Sequence, residues 1–175
     1  MEQSDEKRID VLAERAKNLA RPIEQIESRE DGTTLLVFKT MAKPYSVPLS
    51  HVNAVMRIQE VTSIPSAPRH IPGIIRRRGE SIALVNLSYF FHAERTGIAD
   101  ADFAVIVQAH GRKFALQVEE VLGALAVRNA DLLPPQDNFD PVQFPYVSRV
   151  MLDGLVVLDL DALVQAKGFV AEKSV

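Results

Sequence analysis

The residues that could do chemistry are few, and they do not converge in sequence. His51, His70, His92 and His110 lie far apart, with no HExxH or HxH spacing and no cysteine anywhere to complete a thiolate metal site. Isolated, exposed histidines are the simpler reading. Asp159 and Asp161 resemble an acid pair, but they sit between the apolar run LVVL and a short helical segment from Leu160 to Lys167 that Gly168 can close. Asp159 is therefore expected as the helix cap and Asp161 as its first-turn acid, where negative charge meets unpaired N–H groups. No Gly-rich phosphate cradle of the GxxxxGK or GxGxxG kind appears, and no GxSxG elbow offers an activated serine. The sequence thus implies no catalytic residue, no metal site and no cofactor.

The densest functional signal is Ile64–Gly79, IPSAPRHIPGIIRRRG. Pro65, Pro68 and Pro72 fix an extended, turning backbone, Gly73 permits a close approach, and Gly79 suits a tight hairpin turn. Arg76, Arg77 and Arg78 are expected at the end of a strand, where alternation sends Arg76 and Arg78 to one face and Arg77 to the other. A solvated charge run that keeps an edge strand from aggregating is one reading. A phosphate-binding patch with Arg57, Arg69 and His70 is the competing one, and it makes a nucleic-acid-binding β-barrel module the alternative function. Against it, no aromatic residues interleave the arginines, and 20 Lys and Arg against 23 Asp and Glu give a net charge of −3.

These residues must be positioned by a β-rich body. From Thr33 onward the chain reads as short apolar runs, TLLVF, YSVPL, VNAVMRI, SIALVNL, FAVIVQA, KFALQV, VLGALAV and LVVLDL, broken by Gly, Pro, Asp and Asn. A shift of 69 residues lays Leu35–Phe38 over Ala104–Val107, Tyr45 over Phe114, Val47 over Leu116 and Val52 over Val121. With a few inserted residues, Ile82–Leu87 also matches Leu155–Leu160. The chain reads as two copies of one unit, each too small to bury much apolar surface alone, so the copies should share a core. Each ends in a strand, a capping residue (Asn86 or Asp159) and a short helix, the first from Leu87 to His92.

The beginning is different. Ile9, Leu12, Ala16, Leu19, Ile23 and Ile26 form one helical stripe over residues 5 to 26, with Pro22 ending or kinking it near Arg21. Such a helix either packs on its own domain or docks a partner. The charged start, MEQSDEKRID, does not read as a signal peptide, and no apolar run is long enough to span a bilayer. With no cysteine, a reducing cytoplasmic setting is expected. The organisation expected is residues 1–29 as helix and linker, 30–170 as the β-rich domain, and 171–175 as a tail.

The order of elements resembles the CheW-like domain family. The carrying pieces are LLVF, a YxVPLxxV segment, an IPxAPxxIxG turn, an RG hairpin, a strand ending in NL, FALQVEEVLG, and VLDL before a helix. The resemblance implies two small five-stranded β-barrels around a common core, and a non-catalytic adaptor coupling methyl-accepting chemoreceptors to a CheA-type histidine kinase. The implied partners are the receptor's cytoplasmic tip and the kinase's regulatory domain, in cytoplasmic arrays beneath the inner membrane. Val52, Gly73 and Arg78 are carried over as contact candidates and Gly79 as the hairpin turn, with Arg76 added from the basic run. This chain departs from the family pattern at Arg76 and Arg77, where an Asn-Leu pair is common, and at Ala54, Ala83 and Asn86. The departures put partner identity in doubt more than fold, so an auxiliary chemosensory pathway is as open as chemotaxis.

Overall fold

The structure, a computed structural model, describes residues 31–91, 102–136, 144–166 and Phe169. The expected N-terminal helix, the tail, His92 and Gly168 lie outside the described residues.

Among the described residues, eleven strands and one short α-helix follow in order. They are β1 (Gly32–Thr40), β2 (Lys43–Pro48), β3 (Val52–Arg57), β4 (Gly73–Arg77), β5 (Glu80–Val85) and β6 (Phe103–Ala109). The rest are β7 (Arg112–Val118), β8 (Glu120–Arg128), β9 (Leu132–Leu133), β10 (Val147–Met151), β11 (Val156–Leu158) and α1 (Leu160–Gln165). The fold is mainly β, as the apolar runs indicated. Two sheets form, one of six strands in the order β8-β1-β2-β11-β10-β9 and one of five in the order β3-β6-β7-β5-β4.

The internal repeat holds at the level of single residue pairs. In one sheet Val107 of β6 pairs Val52, and in the other Phe38 of β1 pairs Val121. One residue of the third strand is skipped in each ladder, between Val52 and Ala54 and between Val121 and Gly123. The parallel pairs agree too: Leu84 faces Ala115, and Val157 faces Ser46. The two copies are not side by side, however. The first two strands of each copy lie in one sheet with the later strands of the other, β1 pairing β8 and β2 pairing β11 as β6 pairs β3 and β7 pairs β5, so neither half can complete its ladders without its mate.

Alternation along the strands produces three cores. Leu36, Phe38, Tyr45, Val47, Val105, Val107, Phe114 and Leu116 point between the sheets into a shared cluster. Their neighbours point the other way: Ile75, Ile82, Leu84, Ala104, Ile106 and Ala115 form a cluster within the five-stranded sheet. Leu35, Val37, Val127, Leu155 and Val157 do the same within the six-stranded sheet. A period of two with apolar residues at both parities is what a strand buried on both faces requires.

The caps follow the expectation. Asp159 Oδ1 accepts from the Ala162 N–H at 2.9 Å at the start of α1. Asn86 Oδ1 accepts from the Ser88 N–H at 2.9 Å, where a single 3-10 turn, Leu87–Tyr89, replaces the longer helix expected. Beyond it Phe90 and Phe91 enter an aromatic group with His70, Tyr146 and Phe169, in which His70 meets Phe90 edge-on at 4.9 Å.

Candidate partner-contact surface

All five candidate residues fall on the five-stranded sheet, at the two ends of its strand order. Val52 opens β3, after a 3-10 turn at Leu49–His51, and is half-buried against the shared core. Gly73, Arg76, Arg78 and Gly79 belong to the β4–β5 hairpin.

Gly73 is buried, and its role is a close approach. A Cβ there would lie 2.4 Å from the Thr62 carbonyl oxygen and 2.7 Å from Val61 Cγ1. The next residue, Ile74, exchanges two hydrogen bonds of 2.9 Å with Thr62. Gly73 thus lets the Pro-rich connection lie directly against β4.

The arginines separate. The paired strand residues end at Arg77 opposite Glu80, leaving Arg78 and Gly79 as a two-residue loop with φ of 48° and 83°. Both central residues at positive φ make a type I′ turn, which matches the twist of the flanking strands. The strand therefore does not run through Arg78, and the expectation that alternation places Arg78 with Arg76 is corrected: the backbone reverses first. Arg78 is an exposed residue held in a left-handed conformation at the apex.

Arg76 is exposed and lines a cleft with Met56, Gln59, Glu60, Thr62 and Ile75. Met56 lies on β3 and Ile75 on β4, so the opposite ends of the strand order meet across this cleft. Arg77 is half-buried near Glu80, whose carboxyl sits below the ordinary range. The main cause is the hydrogen bond from Lys113 Nζ at 2.7 Å, then the Lys113 charge, with a smaller contribution from Arg77. Arg57 stands over the Phe103 ring at 5.4 Å. The basic residues thus have separate local roles, and no observation favours the phosphate-patch reading.

The described histidines also separate: His51 Nδ1 lies 3.0 Å from the Gln108 carbonyl, His110 Nε2 lies 2.7 Å from Gln165 Nε2, and His70 is in the aromatic group. Among the described residues no group of three or more His, Cys, Asp or Glu could hold a metal ion. None of the described helices is long and apolar enough to cross a membrane.

Sequence reasoning passed over one exposed feature. The β10–β11 hairpin occupies the place in its sheet that β4–β5 occupies in the other. At its tip Leu152 is 85% exposed. The signal was present, a leucine directly before the turn residues Asp153-Gly154, and it lies inside the turn closed by the Gly154 N–H donating to the Met151 carbonyl at 2.8 Å.

The chain is 26% identical over 140 residues to a chemotaxis protein CheW of Treponema pallidum (strain Nichols), an alignment covering 76% of this chain and 82% of that one. The crystal structure of the scaffolding protein TtCheW from Thermoanaerobacter tengcongensis superposes with a TM-score of 0.69 at 24% identity, covering 78% of this chain and 94% of that one. Residues 34–168, which span both sheets, match the CheW-like domain, and the chain belongs to that family.

Proposed function

We propose that this protein is a non-catalytic signalling adaptor, coupling the cytoplasmic tips of methyl-accepting chemoreceptors to the regulatory domain of a CheA-type histidine kinase. The observation that carries the reading is the family match across both sheets. A relative named as a chemotaxis protein agrees with it. In this reading each sheet curls around its own apolar cluster as a small barrel, and the work is done in the cytoplasm at receptor arrays.

The β4–β5 hairpin is the first contact element. Gly73 sets its position, the type I′ turn sets its shape, and Arg78 carries a planar guanidinium at the apex. Several fixed donors at a rigid tip suit a partner's carboxylates or backbone carbonyls, and lysine cannot reproduce that geometry. Val52 contributes apolar surface where β3 begins, and Arg76 faces the cleft beside Glu60. Affinity per contact is expected in the micromolar range, about −8 kcal/mol, with array multivalency strengthening the whole.

Co-sedimentation of the purified chain with a receptor signalling fragment and the kinase regulatory domain tests the reading. A ternary pellet that requires the adaptor is expected. Failure to bind either partner, by a chain with a cooperative melt, would remove the proposal.

A further inference from the structure

We infer that His70 is a proton-sensitive latch: while neutral it seats the Pro-rich connection that leads into the β4–β5 hairpin, and when charged it releases that connection. The residue is half-buried, yet its Nε2 is buried and has no hydrogen-bond partner. Phe90 meets the ring edge-on at 4.9 Å, and Phe169 stacks on it at 6.1 Å. Phe90 follows β5 in the first copy and Phe169 follows α1 in the second, so one imidazole bears on the ends of both copies.

The backbone ties the same segments together. The His70 carbonyl accepts from the Asn86 N–H at 2.8 Å, and Asn86 caps the turn that leads into Phe90. Within the connection the Ile71 N–H donates to the Pro68 carbonyl at 2.8 Å. Only Ile71 and Pro72 separate His70 from Gly73, where β4 begins, and Pro72 fixes its own φ. A shift of the ring is thus passed to the base of the hairpin.

Protonation changes what this seat must hold. A charged imidazole carries an N–H on both nitrogens, so Nε2 becomes a buried cationic donor with nothing to accept it. Aromatic faces attract a cation, but by less than burying an unpaired charge costs. The titratable and charged groups on the elements around the ring are Glu60 and Arg69 on the connection, Tyr89 beside Phe90, Tyr146 against Phe90, and Asp159 and Asp161 at the start of α1. Glu60 lines the cleft with Arg76, Asp159 accepts from the Ala162 N–H, and Arg69 and Asp161 are exposed. Among the described residues none of the six is bonded to the ring, so no carboxylate stands ready for its charged form. The seat therefore holds at higher pH and is lost as the pH falls and His70 takes up its second proton. Under the adaptor reading, the same release weakens assembly in acid by shifting the Arg78 tip.

Hydrogen exchange of the Asn86 amide, which donates to the His70 carbonyl, reads the seat in the full chain and needs no partner, so its outcome stands apart from the adaptor reading. His70→Phe keeps a ring in place and cannot charge, while His51 and His110 titrate alike in both proteins. Relative to His70→Phe, the wild type should lose about tenfold in Asn86 protection between about pH 7.5 and about pH 5. If His70→Phe lacks a cooperative melt, His70→Gln, which cannot charge either, takes its place with the same result expected. A ratio of protection that stays the same at both pH values, or that moves in favour of the wild type in acid, would overturn the inference.

Discussion

The two hairpin tips β4–β5 and β10–β11 hold corresponding places in their sheets, yet one ends in Arg78-Gly79 and the other in Leu152-Asp153-Gly154. Between the same two copies, Tyr45 and Phe114 are both buried, and the skipped residue of the third strand recurs at Asn53 and Leu122. Core positions and registers were kept alike while the tips diverged. A pseudo-symmetric body with unlike ends can meet unlike partners, which suits an adaptor better than a symmetric clamp would.

If the buried positions are equivalent, damaging one should be as costly as their packing implies. Phe114 is buried and meets Phe169 edge-on at 4.9 Å, as its mate Tyr45 stacks on Phe91 at 5.5 Å. Phe114→Ala should cost about 3–5 kcal/mol in a denaturant melt, from lost transfer energy and a cavity. A change under about 0.5 kcal/mol would end the equivalence. Gly73→Ala drives a methyl group into the Thr62 backbone, so a loss of about 1–3 kcal/mol is expected, with weaker receptor binding through a displaced hairpin. An unchanged melt would show that the connection yields freely.

Caps and turns sharpen the comparison at smaller scale. Asp159→Ala should cost about 1 kcal/mol by removing the bond to Ala162, and Asn86→Ala less, since it caps one turn only. The β1–β2 turn places Met41 and Ala42 at φ of 52° and 57°, where its mate β6–β7 has His110 and Gly111 at 49° and 69°. Ala42→Gly should therefore stabilise by about 0.5–1 kcal/mol, the relief of left-handed strain exceeding the added chain entropy. A loss of stability would mean that the left-handed conformation of Ala42 carries no strain.

Much of this was legible in the residues, and the exceptions share a cause. The caps at Asn86 and Asp159 and the turn at Gly79 depend on neighbours in sequence, and the repeat shows as like residues 69 positions apart, so these were legible. The exchange of strands between copies depends on partners dozens of residues away, which apolar patterning cannot name because every strand offers similar faces. Arg78 was misplaced since alternation holds only while a strand continues, and Arg77 is its last residue. Gly73 was recognised as a close approach, but its partner Thr62 emerged only from the packing. Leu152 was overlooked among many leucines, although it is the one left 85% exposed.

The central claim, that a specific contact is made by the Arg78 tip, is tested most directly by reversing the three neighbouring charges one at a time. Arg76→Glu, Arg77→Glu and Arg78→Glu would each be co-sedimented with receptor fragment and kinase, with circular dichroism confirming the fold. Arg78→Glu should abolish assembly, since loss of one partner from a desolvated charge pair costs about 2–5 kcal/mol, while stability barely changes for an exposed arginine. Equal, modest losses at all three positions, or full assembly by a folded Arg78→Glu, would contradict it.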